Sequence, residues 1–290
     1  MKIAVYGNRR QHGHIEQIET LLASLQAHGY SISMHPKLHD HLTELSGRNP
    51  GIDSVIGPGD DFEADMAISI GGDGTFLRTA AWVSDRQIPI LGINTGHLGY
   101  LSDISIDETS TLADDLAAGN FTIESRALIE AELPYAPESF WPFALNEVAV
   151  IKKDTASMIA VRTCIDSVEL NTYLGDGLIL STPTGSTGYN LSVGGPIIQP
   201  TAPNWVLSPV AAHSLTMRPL VISNDEELTI TTTSRAGTFL LSIDGRSMSL
   251  PSGTVIKLRK APFVTRVIHR ANHNFAETLR SKLLWGIDNR

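Results

Sequence analysis

The chain has a single cysteine, Cys164, in 290 residues. No internal disulfide framework can form, so a reducing compartment, the cytoplasm, is the expected setting. Cys164 lies in the apolar stretch 158–165 and reads as a buried, inert thiol. Basic residues are also scarce: 22 Lys and Arg face 31 Asp and Glu, a net charge of −9. That excludes a nucleic-acid binder working through a whole basic surface, while leaving room for a local basic pocket. No segment approaches the roughly 18 consecutive apolar residues of a membrane span. The apolar stretch near the N-terminus, 3–6, is too short for a secretory signal. The dinucleotide fingerprint GxGxxG, the P-loop GxxxxGK[ST] and the hydrolase elbow GxSxG are all missing. Among the ten histidines the close pairs His12/His14 and His39/His41 fall in stretches expected to be loops, and no Cys or further His completes a structural zinc set. No metal ligand is assigned.

What is present suggests about two domains. The first third alternates strand and helix signals. Residues 3–6 form a short apolar run. Ile15, Ile18, Leu21, Leu22 and Leu25 recur at helical spacing before Gly29, and Tyr30, Ile32 and Met34 alternate. Residues 36–63 collect Pro, Gly, Asp and His and read as a long mobile loop. Strands are expected at 66–70 and 88–93, helices at 76–82 and around Leu112, Leu116 and Ala117. This alternation implies a parallel, Rossmann-like sheet with helices on its faces. From residue 121 the pattern becomes β-like. Strands are expected at 127–133, 144–151, 158–165, 168–173, 177–181, 228–233, 238–243, 254–259 and 263–268, as in a sandwich. Asn274 and Glu277 have capping-box spacing, and Phe275, Leu279 and Leu283 share one face of a last helix. The expected division is therefore an α/β domain over 1–120, a β-rich domain over 121–268, and a C-terminal helix over 269–290 that docks on the first domain.

Three segments stand out chemically. Gly71-Gly72-Asp73-Gly74-Thr75 follows a strand and opens a helix. Glycines there let a backbone approach an anion and turn its N–H groups outward; a tight turn with Asp as helix cap is the alternative. Residues 182–192 carry Thr182, Thr184, Ser186 and Thr187 with Gly185 and Gly188, then Tyr189, Asn190, Leu191 and Ser192. They offer small donors and a ring that can stack on a base, or else an irregular crossover held by hydroxyl turns. Asn146-Glu147 interrupts an apolar strand, either as ligands for ribose hydroxyls or as a structural hydrogen bond. Asp176-Gly177 is first a turn signal. Arg9, Arg10, Arg78, Lys152 and Lys153 are candidate phosphate contacts, although any single one reads first as a solvated surface charge.

Together these motifs resemble the NAD kinase family, in order along nearly the whole chain: GGDGT at 71–75, INTGHLGYL at 93–101, NE at 146–147 and DGLILSTPTGSTGYNLSVGGP at 176–196. The first motif alone is shared with lipid kinases of the diacylglycerol and sphingosine type and is related to that of phosphofructokinases. The resemblance implies an α/β domain, a β-rich domain that binds NAD and mediates oligomerisation, and homodimers or homotetramers. It makes Asp73 the catalytic carboxylate and places Gly72 and Gly74 in the phosphate-approaching turn. Asn146 and Glu147 would hold ribose hydroxyls, and Asp176 the far end of NAD. Thr187, Tyr189 and Ser192 would line the adenine side, and Gly188, Asn190 and Leu191 would belong to the same substrate-binding segment. Arg78 and Ala211 fall at dinucleotide-contact positions. Gly188 stands where Ala is usual, and Arg246 where many members carry a different polar residue.

The implied reaction moves the γ-phosphoryl group of ATP, or a phosphoryl group of polyphosphate, to the 2′-hydroxyl of the adenosine ribose of NAD. Mg²⁺ would be held mainly by substrate phosphates. The alternatives are a lipid kinase, which needs an apolar acceptor cleft, and a non-catalytic nucleotide sensor. The polar 182–192 segment speaks against the first and the presence of Asp73 against the second.

Overall fold

The protein is described by a computed structural model covering residues 1–9, 13–57, 59–96, 99–137, 139–153 and 157–286. Arg10, His12, His97 and Leu98, named above, lie outside these residues.

The chain divides into two units, residues 1–125 with 265–290 and residues 126–264. The first unit contains β1 (Lys2–Gly7), α1 (Ile15–Ala27), β2 (Ser31–Met34), α2 (Pro36–Ser46), β3 (Ser54–Val55), β4 (Met66–Ile70), α3 (Asp73–Val83), β5 (Ile90–Asn94), β6 (Ile104–Ser105) and α4 (Leu112–Ala118). Its strands lie in the order β3-β2-β1-β4-β5, all parallel. β1 and β4 are apolar and buried almost throughout, as strands covered on both faces must be. α1 buries Ile18, Leu21, Leu22 and Leu25, the i, i+3, i+4, i+7 stripe read from the sequence.

The expected loop at 36–63 is a misreading over its first third, because residues 36–46 are helical. Pro36 occupies the first turn, where its missing N–H has no partner to lose. His35 Nδ1 accepts the Lys37 N–H at 3.2 Å, and Gly47 closes the helix at φ 67°. Leu38, His41 and Leu42 bury its inner face. Leu38, Leu42 and Leu45 stand at helical spacing, but Leu45 is exposed and the Pro and His residues around them hid the helix.

β7 (Phe121–Glu132) carries the chain into the second unit. There follow β8 (Phe143–Ala144), β9 (Glu147–Lys152), β10 (Ile159–Ile165), β11 (Val168–Gly175), β12 (Gly177–Ser181), the single turn α5 (Tyr189–Ser192), β13 (Asn204–Val210), β14 (Leu220–Ser223), β15 (Leu228–Ser234), β16 (Thr238–Ile243) and β17 (Arg246–Pro251). β18 (Val255–Arg270) returns the chain to the first unit, where Val267 and Ile268 pair with Ile90 and Leu91, and α6 (Phe275–Leu283) ends it. In the second unit one antiparallel layer runs β14-β13-β12-β9-β16-β17 and the other β11-β10-β15, continued by the first residues of β18. Val148, Leu178, Trp205 and Phe239 of the first layer pack with Val161, Ile230 and Ile256 of the second. Cys164 is buried in β10.

Two strand expectations change. The separate strands 254–259 and 263–268 are one continuous β18. The strand expected over 144–151 breaks at Leu145 and Asn146, for a reason that belongs to the site.

Candidate functional site

In the first unit β4 ends at Ile70, and Gly71 takes φ 144°, a backbone state that side chains resist. Gly72 caps α3, its carbonyl accepting the N–H groups of Thr75 and Phe76 at 2.8 and 3.2 Å. A Cβ on Gly72 would meet nothing within 4 Å, and one on Gly74 only the Arg78 guanidinium at 3.8 Å. Packing within the protein therefore does not demand glycine at either position. The open space suits a ligand approaching the backbone.

Asp73 opens α3, and both its carboxylate oxygens are held. Oδ2 accepts the Tyr100 N–H at 2.8 Å, and Oδ1 accepts the Leu101 N–H at 3.0 Å. Gly99 makes this approach possible, since a Cβ there would collide with the Asp73 carboxylate. Each oxygen keeps a further lone pair for a substrate hydroxyl or a cation.

Beside this turn, at the carboxyl end of β1, is a cleft of about 450 Å³ lined by Tyr6, Asn8, Arg9, Lys37 and Arg78. Asn8 Nδ2 donates to Thr75 Oγ1 at 3.0 Å and so ties the loop after β1 to the glycine turn. Burial pushes the Tyr6 phenol up against the opposing pull of Arg78. His35 packs on Tyr6 and Trp82, and burial, then the Lys37 charge, pushes it down to about 4. The positive charge of the cleft thus comes from Arg9, Lys37 and Arg78. Its position at the ends of β1 and β4, where the chain order of the sheet reverses, is where open α/β sheets bind phosphates.

In the second unit the NE pair and the 182–192 segment meet. The carboxylate of Asp244, in the β16–β17 turn at φ 48°, accepts three consecutive N–H groups: Leu145 at 2.7 Å, Asn146 at 2.9 Å and Glu147 at 3.0 Å. These donors leave the sheet ladder to wrap an anion, which is why strand 144–151 breaks. The break frees Asn146 and Glu147 from strict alternation. Asn146 Oδ1 is buried without a hydrogen-bond partner. Glu147 Oε2 accepts only a long 3.4 Å contact from the Tyr189 N–H. Burial, then the charge of Asp244, raises the Glu147 carboxyl from 4.5 to about 7. Burial raises Asp244 too, against its backbone donors and Arg246.

Thr182 ties the hydroxyl-rich segment to the break, its N–H donating to Asn146 O at 2.9 Å and its hydroxyl to Leu145 O at 2.5 Å. Gly185 packs so closely on the Asn146 backbone that no Cβ fits. A Cβ on Gly188 would lie 3.0 Å from Glu147 Oε2, so glycine here gives the carboxylate room that an alanine would narrow. Tyr189 is exposed, its ring available for stacking, and Ser192 is exposed beside it, donating to Tyr189 O at 2.8 Å. Thr187 and Leu191 are half-buried. Asn190 differs: it is fully buried, its amide donates to Ser186 O and Pro196 O at 3.0 Å each, and its oxygen accepts from Ser208 at 2.6 Å. It scaffolds the turn.

Asp176 pairs with Lys152 at 2.7 Å. Its N–H donates to Val210 O, which brings it next to Ala211, a non-glycine residue at φ 46°. Gly175 packs against the Val210 and Ala211 carbonyls. Lys153 contacts Ser249 at 3.4 Å. The two lysines are thus engaged elsewhere, whereas Arg9 and Arg78 share the cleft. Arg246 donates to Phe143 O at 2.8 Å and lies over the Trp141 ring at 5.1 Å.

Sequence reasoning missed Asp244, which no motif singled out, and Lys37, hidden in the misread loop. It also missed a group at the C-terminal end of the first unit. Asp103 is hydrogen-bonded to His269 and, at 2.9 Å, to His273, with Lys282 Nζ at 3.6 Å. Among the described residues this Asp-His-His trio is the one group of three or more metal-capable side chains close enough to share an ion. Neither His14 nor the close pair His39/His41 belongs to it. Among the described residues no helix is long and apolar enough to cross a membrane.

Known proteins resemble this chain. Residues 3–121 match the ATP-NAD kinase N-terminal domain, and residues 145–270 the ATP-NAD kinase C-terminal domain. An NAD kinase of Bacteroides fragilis is 43% identical over 290 residues, covering 100% of both chains. One of Porphyromonas gingivalis is 43% identical over 285 residues, 98% of each. Among solved structures, yeast NADH kinase complexed with NADH superposes with a TM-score of 0.87 at 20% identity, covering 100% of this chain and 89% of the other. An NAD kinase from Archaeoglobus fulgidus in complex with ATP gives 0.74 at 26% identity, covering 97% and 99%. With both domains matched in order and near-complete relatives at this identity, the chain belongs to the ATP-NAD kinase family.

Proposed function

We propose that the protein transfers the terminal phosphoryl group of ATP to the 2′-hydroxyl of the adenosine ribose of NAD, yielding NADP and ADP, with Asp73 as the carboxylate that orients the hydroxyl and accepts its proton. The observation that carries this reading is the Asp73 carboxylate itself. At the start of α3 it is fixed by the backbone N–H groups of Tyr100 and Leu101, next to a cleft that concentrates three cations in a chain of net charge −9.

Phosphoryl transfer has a loose transition state, so the protein mainly positions the reactants and stabilises charge. Arg9, Lys37 and Arg78, with N–H groups exposed at Gly72 and Gly74, receive the phosphates. Asp73 supplies the fixed acceptor for the hydroxyl proton, help worth about 10²–10⁴ in rate.

Magnesium prefers oxygen donors and keeps several waters. The trio of Asp103, His269 and His273 is a poor match for it, because two imidazoles suit softer ions. The remaining lone pairs of Asp73 would suit a Mg²⁺ held mainly by substrate phosphates, which would supply charge neutralisation.

In the second unit the unpartnered Asn146 Oδ1 and the weakly engaged Glu147 carboxylate are acceptors for ribose hydroxyls. Tyr189 stacks on the adenine, with Thr187, Gly188, Leu191 and Ser192 around it. Asp176 and Ala211 contact the far end of the dinucleotide. Asn190 is left out of the contact set because its amide is engaged internally. Exposed Val168, Leu170 and Leu174 on the edge strand β11 suit pairing with a second copy, as a dimer or tetramer. A cytoplasmic location fits the single buried cysteine.

Incubation with NAD, Mg²⁺ and either ATP or polyphosphate, with chromatography for NADP, tests the reading. NADP with either donor supports the reaction and identifies the donor. NAD bound but never converted would make the protein a sensor.

A further inference from the structure

Lys282 lies in α6, a helix that buries only Thr278 fully while Phe275, Leu279 and Leu283 stay half-exposed. Yet the Lys282 side chain is only 8% exposed. Burying an ammonium is costly and asks for a reason. Its Nζ donates to Ser102 O at 2.5 Å and Tyr100 O at 3.4 Å, and stands 3.6 Å from Asp103 Oδ1. Asp103 is in turn bonded to His269 and His273, which anchor it from the end of β18 and the turn that follows.

These contacts grip one face of the short segment whose other face holds Asp73. The Tyr100 carbonyl and the Leu101 N–H belong to the same peptide group. Lys282 draws on the carbonyl, and the N–H donates to Asp73 Oδ1. A cation at the oxygen end of a peptide strengthens the donor at its nitrogen end. We propose that Lys282 is a positioning residue for the Asp73 carboxylate, acting through the peptide between Tyr100 and Leu101, with Asp103 holding the lysine in place. The inference rests on Asp73 being the reacting carboxylate. The same geometry argues against a metal at the Asp-His-His trio, because the Lys282 ammonium already balances the Asp103 charge.

The test uses the full chain and steady-state kinetics with NAD and ATP. Lys282→Met is expected to lower kcat about 10–100-fold, the scale of a misplaced reacting group, with both KM values within about threefold of the parent. Lys282→Arg is expected to recover part of the loss. In an Asp73→Asn background, Lys282→Met is expected to change kcat less than about threefold, because the residue it positions is gone. A Lys282→Met enzyme with parental kcat, or an equal loss in the Asp73→Asn background, overturns the proposal. Parental kcat in Asp73→Asn alone overturns the assignment of Asp73 instead. If Lys282→Met does not fold, Lys282→Gln carries the same two outcomes; failure of both to fold makes Lys282 a folding residue and overturns the proposal.

Discussion

The Asp244 carboxylate accepts the backbone N–H of Glu147 at 3.0 Å while its charge opposes the ionisation of the Glu147 side chain. One residue thus shapes the bend that presents Glu147 and tunes what Glu147 presents. Asp244 has three N–H donors on its carboxylate and Glu147 one long contact, so the charged form is better supported at Asp244 than at Glu147.

Glu147 therefore links NAD binding to protons. Its folded-state carboxyl is raised from 4.5 to about 7. The stability this group contributes is full below pH 4.5 and lost as pH rises through 7. A ribose diol donating to the carboxylate favours the ionised form, so NAD binding should release a proton near pH 7 and tighten between pH 6 and 8 (about one unit either side of that value). Calorimetry in two buffers of different ionisation heat reads the proton directly. Glu147→Gln should abolish the release, flatten the pH dependence of unfolding, and weaken NAD by about 1–2 kcal/mol. An unchanged dissociation constant places Glu147 outside the site.

Asp244→Asn removes one of two acceptor oxygens facing three donors. An unsatisfied buried donor costs about 1–3 kcal/mol, so thermal unfolding should shift downward by that order. The remaining Glu147 should titrate closer to its ordinary range, and the pH dependence of NAD affinity should move to lower pH. Unfolding that matches the parent at all pH values contradicts this account of the strand break.

Gly99→Ala drives a Cβ into the Asp73 carboxylate. Either the loop or the carboxylate must shift, and displacement of about 1 Å at a reacting group costs on the order of 10²-fold. Turnover should fall by about 10–100-fold, with the KM for ATP little changed. Parental turnover would show that the position of Asp73 is not critical.

The parallel sheet, α1, α3 and the β-rich second half are legible because each rests on local periodicity or on glycine punctuation. Asp73 is legible for the same reason: three glycines in four residues mark it. α2 is not, because its two inward leucines sit among Pro, His and Asp. Asp244 and Lys282 act 97 and 180 residues away along the chain, on Glu147 and Ser102. Nothing in an Asp-Gly turn or a helical lysine announces such a partner. Asn190 shows the converse: its place in a polar loop suggests a ligand, and its burial shows a scaffold.

The cleft predicts a salt-sensitive donor site. Arg9→Gln with Lys37→Gln should raise the KM for ATP about 5–30-fold at low ionic strength and less near 0.5 M salt, where the Debye length shrinks to roughly 4 Å, while kcat holds. A KM that ignores both substitutions removes the cleft from the donor path.

The most direct test of the central claim is turnover of Asp73→Asn with NAD, ATP and Mg²⁺, measured beside its NAD affinity by calorimetry. The account predicts NADP formation at least about 100-fold slower, the scale of losing a positioned proton acceptor, with NAD bound about as tightly as by the parent. Near-parental NADP formation by Asp73→Asn would contradict it.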